Sequence, residues 1–507
     1  MAHRDRMTDR AKSLFFNMIP EERRADFAAA AIIFLYCIVW VSLRLFVSRT
    51  MEIDEAEQFL AAKVIALGYS DQPPLFTWLL RGAAFPFGMN IVTILAVKYA
   101  LLFCFYFSYY HIARTFWEPA KSLIVTGALL LFPTYSYEFN RNLTHTILLA
   151  AMSSATFLVF VRLLGKKTTL RYLLFGAVIG LGVLSKYNFV FLLFALIMAS
   201  LSTREGRKVL FDRRMLLSVT VGLLLFSPHF LWLISAKFPS VHEAFGKAGT
   251  GGLKGGSLFR FISVILSSFI EALSFPVFFL AFFRRRVQDK HDTTDPASSV
   301  LRLVPLYGLL LPLILIPGFH MGHFSGKWLA PVFFTIPLAL FSSFEAPEKP
   351  LRLFGKLCVT AAVTVYVIRA FTGFFPGVTG KVERIHIPFS EISHRLEETA
   401  RERGIPDINN AVIVTGDGYL AANLEQDIPH AHYVLLGSGT AQPNVSQDKT
   451  VVAVWDATQH GTDIPKVLRG AVPPDAHAIK IEAPYIHDGM ARFTPFAIGA
   501  VVVRGKR

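Results

Sequence analysis

Apolar runs long enough to cross a bilayer, or nearly so, recur along most of this chain and leave few folds open to it. The first covers about 27–47. Others follow at roughly 91–112, 119–134, 146–164, 172–184, 188–201, 215–236, 258–283, 303–318, 328–344 and 353–375. In hydrocarbon the backbone must satisfy its own polar groups, so such runs are expected to be helices. Eleven transmembrane helices are predicted. The first run begins late and lacks a small-residue cleavage site, which predicts a retained span rather than a removed leader. With 53% apolar and 17% charged residues, a disordered or cytosolic chain is excluded. The three cysteines, Cys37, Cys104 and Cys358, all lie inside apolar runs, which excludes a disulfide framework and a Cys-based zinc site.

The net charge of +15 is placed by the same pattern. With the N-terminus inside, the inner segments hold 24 Lys and Arg and the outer loops hold 10. That asymmetry follows the positive-inside rule loop by loop, and it replaces nucleic acid as the explanation of the charge. Basic residues on the outer side therefore need their own reason, and an anionic ligand supplies one.

After residue 375 no run is long enough to span. Short β-branched stretches at 411–415, 432–436, 450–455 and 497–503 predict strands, and 391–403 predicts an amphipathic helix. The expected organisation is a cytoplasmic N-terminus at 1–26, a membrane domain at 27–375 and a small soluble α/β domain at 376–507 on the periplasmic side. Thr415-Gly416-Asp417-Gly418 reads as a turn before a helix rather than as a phosphate loop, since a lone Gly-x-Gly carries little information.

The first outer loop, about 48–90, is long for a bundle connection and carries amphipathic rather than spanning segments. Loops of that length are often functional. It opens with Glu52, Asp54, Glu55 and Glu57. Clustered carboxylates raise one another's pKa, which suits a general base, and they offer oxygens to a divalent cation; a solvated helix start is the other reading. Then comes Gly68-Tyr69-Ser70-Asp71-Gln72-Pro73-Pro74-Leu75. The double proline restrains Asp71 before a new helix, either as a presented acid or as a helix cap.

An acidic Asp-Glu pair after the first span, with a Pro-Pro-Leu segment entering an amphipathic helix in the same loop, resembles the GT-C superfamily of membrane glycosyltransferases. The closer likeness is to the bacterial branch of glycosyltransferase family 39, with its lipid A aminoarabinose transferases and rhizobial galacturonosyltransferases. Two further stretches match: Gly180-Leu181-Gly182-Val183-Leu184-Ser185-Lys186-Tyr187, and Gly326-Lys327-Trp328-Leu329-Ala330-Pro331. The resemblance extends over about 25–345. It implies a bacterial inner-membrane enzyme with its active site on the periplasmic face, which takes a sugar from a polyprenyl-phosphate donor and passes it to an envelope lipid or glycan, with lipid A or lipopolysaccharide core foremost. The partners implied are that donor, that acceptor and membrane lipids, without nucleic acid.

Residue by residue, Asp54 resembles the first-loop acid that acts as base or orients the acceptor, with Glu55 beside it. Lys186 and Lys327 resemble phosphate-binding positions at outer mouths of spans; snorkelling to the interface is the alternative. Arg81 and Tyr69 are placed with substrate binding. Where many relatives carry a second Asp, this chain has Asn140-Arg141-Asn142-Leu143-Thr144-His145, so His145 stands in that place without a fixed negative charge. No cofactor is required by the pattern. A divalent metal ion at Asp71 with His242 is compatible with the resemblance but has no short ligand spacing behind it. Glu271, in mid-span, reads either as functional or as paired within the bundle. A transporter or flippase of a lipid-linked sugar is the rival class; it calls for internal repeats and more ionisable groups deep in the spans than Lys98 and Glu271.

Overall fold

The computed structural model describes residues 20–69, 72–236, 246, 258–283, 288–289, 296–437, 450–489 and 493–504. The chain forms two compact units. One comprises Met1–Trp40, Ala66–Phe76 and Lys98–Val365; the other comprises Val41–Ile65, Thr77–Val97 and Tyr366–Arg507.

The helices run α1 (Glu21–Val47), α2 (Ile53–Ala61), α3 (Leu75–Phe87), α4 (Ile91–Ala113), α5 (Pro119–Gly127), α6 (His145–Gly165), α7 (Thr169–Ser185), α8 (Phe189–Ser202) and α9 (Arg204–Leu210). They continue with α10 (Met215–Ser235), α11 (Leu258–Phe283), α12 (Pro296–Gly318), α13 (Thr335–Ser343), α14 (Glu348–Phe374), α15 (Phe389–Glu402) and α16 (Gly418–Asp427). All eleven apolar runs are helical. Among the described residues six helices, namely Glu21–Val47, Ile91–Ala113, His145–Gly165, Met215–Ser235, Ala297–Gly318 and Glu348–Phe374, are long and apolar enough to cross a membrane. The pair Phe189–Ser202 and Arg204–Leu210, bent by 118°, passes together as a seventh. Pro119–Leu131, Thr169–Ser185 and Phe269–Phe283 are apolar but shorter. The run at 328–344 is broken into Gly326–Leu329, Ala330–Phe333 and Thr335–Ser343. This is a multi-pass membrane protein.

In the first unit, small residues allow two helices to approach closely. Gly176 and Gly180 on α7 meet Ser218 and Gly222 on α10, and a Cβ at Gly176 would lie 2.3 Å from the Ser218 carbonyl oxygen. The Ser218 hydroxyl donates to the Tyr172 carbonyl at 2.6 Å, so the contact is also hydrogen-bonded. Lipid offers apolar side chains no hydrophobic reason to leave it, so close backbone packing of this kind holds helices together.

The second unit is built on a five-stranded sheet of β1 (Val412–Thr415), β2 (His432–Leu435), β3 (Val451–Asp456), β4 (Ile479–Ala483) and β5 (Phe496–Val503), in the order β2-β1-β3-β5-β4. β1 is parallel to both β2 and β3, whereas β5 is antiparallel to β3 and β4. The period of two sorts the apolar residues: Ile413, Val452 and Ile498 pack with Ile392, Leu396, Leu420 and Leu424 on the helix side, and Val412, Val414, Ala453 and Trp455 form the other core. Four of the five strands and α15 lie where expected. β4 was not anticipated, because Lys480 and Glu482 interrupt a short Ile-x-Ile alternation typical of an edge strand.

The same unit gathers part of the first loop. The Thr50 hydroxyl donates to the Ile387 carbonyl at 2.8 Å, the Met51 amide to Asn423 Oδ1 at 2.8 Å, and Lys63 pairs with Glu425. The acidic helix α2 is thereby seated on α16.

Candidate active site

α2 begins with a reciprocal capping box between Glu52 and Glu55, which fixes its first turn. Asp54 sits in that turn, half-buried. Glu55 has a different setting. It is fully buried, its Oε2 accepts from Arg44 Nη2 at 2.8 Å and from the Glu52 amide at 2.8 Å, and Arg44 is only 5% exposed. Arg44 also donates to the carbonyls of Ser48 and Thr50, both at 2.5 Å. The ion pair thus clamps the end of α1 to the start of α2, and of the two neighbouring acids only Asp54 reaches the surface. Arg44 escaped sequence reasoning; the signal was an arginine in the last turn of an apolar helix, eleven positions before an acid.

Arg81 is exposed, and its Nη1 donates to the carbonyls of Ala62 at 2.7 Å and Lys63 at 2.8 Å. It completes the C-terminal end of α2, where carbonyls lack intrahelical partners. The Thr77 hydroxyl donates to Gln58 Oε1 at 2.7 Å, a second tie between α3 and α2.

His145, Lys186, Lys327 and Tyr69 lie in the first unit. His145 is buried at the start of α6, with its ring 5.3 Å from that of Phe76. One residue on, the Thr146 hydroxyl accepts from Lys186 Nζ at 3.0 Å. Lys327 Nζ lies 2.9 Å from Glu138 Oε2, in a pair whose lysine is 43% exposed. Glu138 ends a π-helical turn, Thr134–Glu138, a geometry that recurs at functional sites. Asn188 Nδ2 donates to the Trp328 carbonyl at 3.4 Å and so ties the turn after Lys186 to the turn after Lys327. Glu271 pairs within the bundle: its carboxylate accepts from the amide and the hydroxyl of Thr134, each at 2.7 Å, and anchors the π turn.

Tyr69 pairs with Gln72 across a tight turn through both backbone amides, at 3.3 and 2.9 Å, and its hydroxyl accepts from the Ala66 amide at 3.2 Å. The turn is held from α10, where His229 Nδ1 donates to the Leu67 carbonyl at 2.7 Å and Nε2 accepts from the Tyr187 hydroxyl at 3.0 Å. Asp71 and His242 lie outside the described residues. Among the described residues no group of three or more His, Cys, Asp or Glu is gathered to hold a metal ion.

Chemically, the first unit offers two ammonium groups on joined turns, one donating to a hydroxyl at Lys186 and one beside a partly exposed carboxylate at Lys327. The second offers a half-buried carboxylate on a clamped helix. Cations for a leaving anion and a carboxylate for a nucleophile's proton are the parts that group transfer needs.

The family profile described as dolichyl-phosphate-mannose-protein mannosyltransferase matches residues 71–232. The lipopolysaccharide core galacturonosyltransferase RgtB of Rhizobium johnstonii is 30% identical, over 90% of this chain and 91% of that protein. RgtA of the same organism, which bears the same description, is 26% identical over 82% of this chain and 84% of its own length. Among solved structures, ArnT from Cupriavidus metallidurans bound to undecaprenyl phosphate is similar with a TM-score of 0.55 at 15% identity, covering 94% of this chain and 99% of that one. Its apo form is similar with a TM-score of 0.56 at 16% identity, covering 95% and 100%. At that identity the ArnT likeness establishes the fold, whereas the rhizobial likeness spans nearly the whole of both sequences. The chain belongs to the GT-C family of membrane glycosyltransferases that includes these rhizobial enzymes.

Proposed function

We propose that this glycosyltransferase takes a sugar from a polyprenyl-phosphate donor and passes it, with inversion, to lipopolysaccharide core or lipid A on the periplasmic face of the bacterial inner membrane. Eleven spans and a periplasmic tail, 376–507, belong to this reading, which rests on the 24 to 10 distribution of basic residues. The observation that carries the acceptor is the near full-length similarity to RgtB, whose description names lipopolysaccharide core. The donor is supported by the fold shared with an ArnT structure that contains undecaprenyl phosphate.

In the proposed reaction an acceptor oxygen attacks the anomeric carbon and its proton passes to Asp54. The bond from that carbon to the phosphate oxygen breaks, and polyprenyl phosphate leaves with the electron pair. Lys186 and Lys327 offset the charge that grows on the leaving phosphate. Phosphate displaces Thr146 and Glu138 from the two ammonium groups. Glu55 and Arg81 serve by holding α2 at its two ends, and Tyr69 by shaping the turn before α3. His145 contributes a hydrogen bond at the donor site rather than a second charge. Lipopolysaccharide from a strain lacking this chain, weighed by mass spectrometry, is expected to be short by one glycosyl unit, restored by the wild-type chain and not by Asp54→Asn. An unchanged glycan profile in the deletion strain would refute the acceptor assignment.

A further inference from the structure

A cavity of about 300 Å³ opens in the second unit at the carboxyl ends of its parallel strands, and none of its lining residues is assigned a part in the transfer above. Its wall includes Ile53, Arg384, Asp417, Tyr419, Asp456 and Tyr485. The sheet explains the place. β1 pairs with β2 on one side and β3 on the other, so the chain leaves β1 toward one neighbour and later returns to the other. Where connections diverge in this way a crevice forms beyond the strand ends, and open α/β sheets bind ligands there.

Asp417 lies two residues beyond the carboxyl end of β1 and Asp456 at the end of β3, and both line the cavity. Both acids are fixed by the backbone that follows them. Asp417 Oδ1 accepts from the amides of Tyr419 at 2.8 Å and Leu420 at 3.3 Å, and Asp456 Oδ1 from the amide of Thr458 at 2.8 Å. The aromatic walls are fixed as well. Tyr419 meets Phe389 edge-on at 5.6 Å, its hydroxyl reaches the Arg384 carbonyl at 3.3 Å, and Tyr485 lies 6.3 Å from Phe496. Arg384 is exposed and, among the described residues, brings the guanidinium to the wall.

Fixed carboxylates accept hydrogen bonds from hydroxyl groups, a guanidinium donates them, and tyrosine faces stack on C–H-rich ring surfaces. Together they match a polyhydroxylated ring. The volume lies at the small end of ligand cavities and suits one ring rather than an oligosaccharide. Two acids against one base disfavour a ring that carries its own carboxylate. Ile53, part of the wall, directly precedes Asp54 in α2. We propose that this cavity is a subsite for one sugar ring of the acceptor glycan, without an acidic substituent, which holds the glycan beside the first-loop acid. The assignment of this ring to the acceptor rests on the proposed transferase reaction; the binding of a ring does not.

The test uses the full-length protein in detergent and saturation-transfer NMR with methyl β-D-galactopyranoside and, separately, sodium D-galacturonate. The neutral glycoside is expected to receive saturation on its ring protons, and galacturonate less. Asp417→Asn keeps the helix cap, because Asn caps as well as Asp, and removes the charge; Arg384→Gln alters an exposed side chain. Each is expected to weaken glycoside binding by roughly tenfold or more, the loss of one charge-assisted hydrogen bond. In transfer assays each should raise the KM for acceptor and leave the KM for donor unchanged. Absence of saturation transfer to the glycoside, a preference for galacturonate, or binding indifferent to both substitutions would overturn the subsite even if transfer itself is intact. Sugar binding by a protein that transfers nothing would leave the subsite standing and defeat the reaction instead.

Discussion

Replacing Glu55 by Ala should loosen the start of the first outer loop without touching the reacting groups. The carboxylate is fully buried and balances a guanidinium that is 5% exposed. Its loss takes the carboxylate that Arg44 Nη2 contacts at 2.8 Å and the acceptor of the Glu52 amide. Stranding one partner of a buried pair costs about 3–5 kcal/mol. If the opening of α2 is governed by this clamp, the amides of its first turns should exchange with deuterium faster by about 10²-fold to several thousand-fold, at 1.4 kcal/mol per factor of ten. Mass spectrometry of peptides covering 44–60 measures this directly. Combining Arg44→Met with Glu55→Leu removes both charges and should recover part of the loss, but not all, because the carbonyls of Ser48 and Thr50 lose their donor. Exchange within threefold of the parent in the single Glu55→Ala variant would refute the clamp, and a loss of transfer with unchanged exchange would return Glu55 to the chemistry.

Asp54→Asn should behave in the opposite way, with transfer lower by about 10²-fold or more, the usual cost of a lost general base, and exchange in α2 unchanged; activity within a few-fold of the parent would remove it from the mechanism. Lys327→Met and Lys186→Met should each lower turnover by roughly 10²-fold, the scale of one lost contact to a developing anion, while the KM for acceptor stays near the parent value; a selective rise in acceptor KM would move the lysines to the acceptor site. The second unit should lose stability in acid through His386, which is buried, takes the Glu383 amide on Nδ1 at 2.9 Å and donates from Nε2 to the Gly373 carbonyl at 3.0 Å. Burial lowers its pKa below the ordinary value of about 6.5. Its stabilising contribution is therefore present above that value and is lost as pH falls through the folded pKa. A thermal midpoint that drops on acidification in the parent, and less so in His386→Gln, is the expected outcome; equal slopes would exclude this residue.

Much of this was legible in the sequence. Helix in hydrocarbon is compelled by composition alone, so every apolar run is helical, and strand periodicity placed four of five strands in the tail. The first-loop acids and the outer lysines stand out by type in an apolar chain, and the family resemblance is what singled out Asp54, Lys186 and Lys327 among them. What composition could not reveal is how each charge is used. Asp54 and Glu55 look equivalent in sequence, yet the helical turn directs one inward to Arg44 and leaves the other half-buried at the surface. Arg81 reads as a substrate cation in the sequence, which could not show that its Nη1 donates to the carbonyls of Ala62 and Lys63. Glu138 drew no attention because its role depends on a π turn, which no local periodicity announces. The cavity beyond β1 and β3 was equally hidden, since strand order is a property of long-range pairing, and the turn at Asp417 gave no sign that Asp456 would line the same cavity.

The central claim is that sugar is transferred from a lipid phosphate rather than carried across the bilayer on its lipid. Protein reconstituted in vesicles with a polyprenyl-phosphate donor labelled in the sugar, and with lipopolysaccharide core as acceptor, separates the two. Transfer is expected to move label from the lipid extract to the lipopolysaccharide with one polyprenyl phosphate formed per sugar, and Asp54→Asn should abolish it. Label that stays on its lipid and merely exchanges leaflets would contradict the claim.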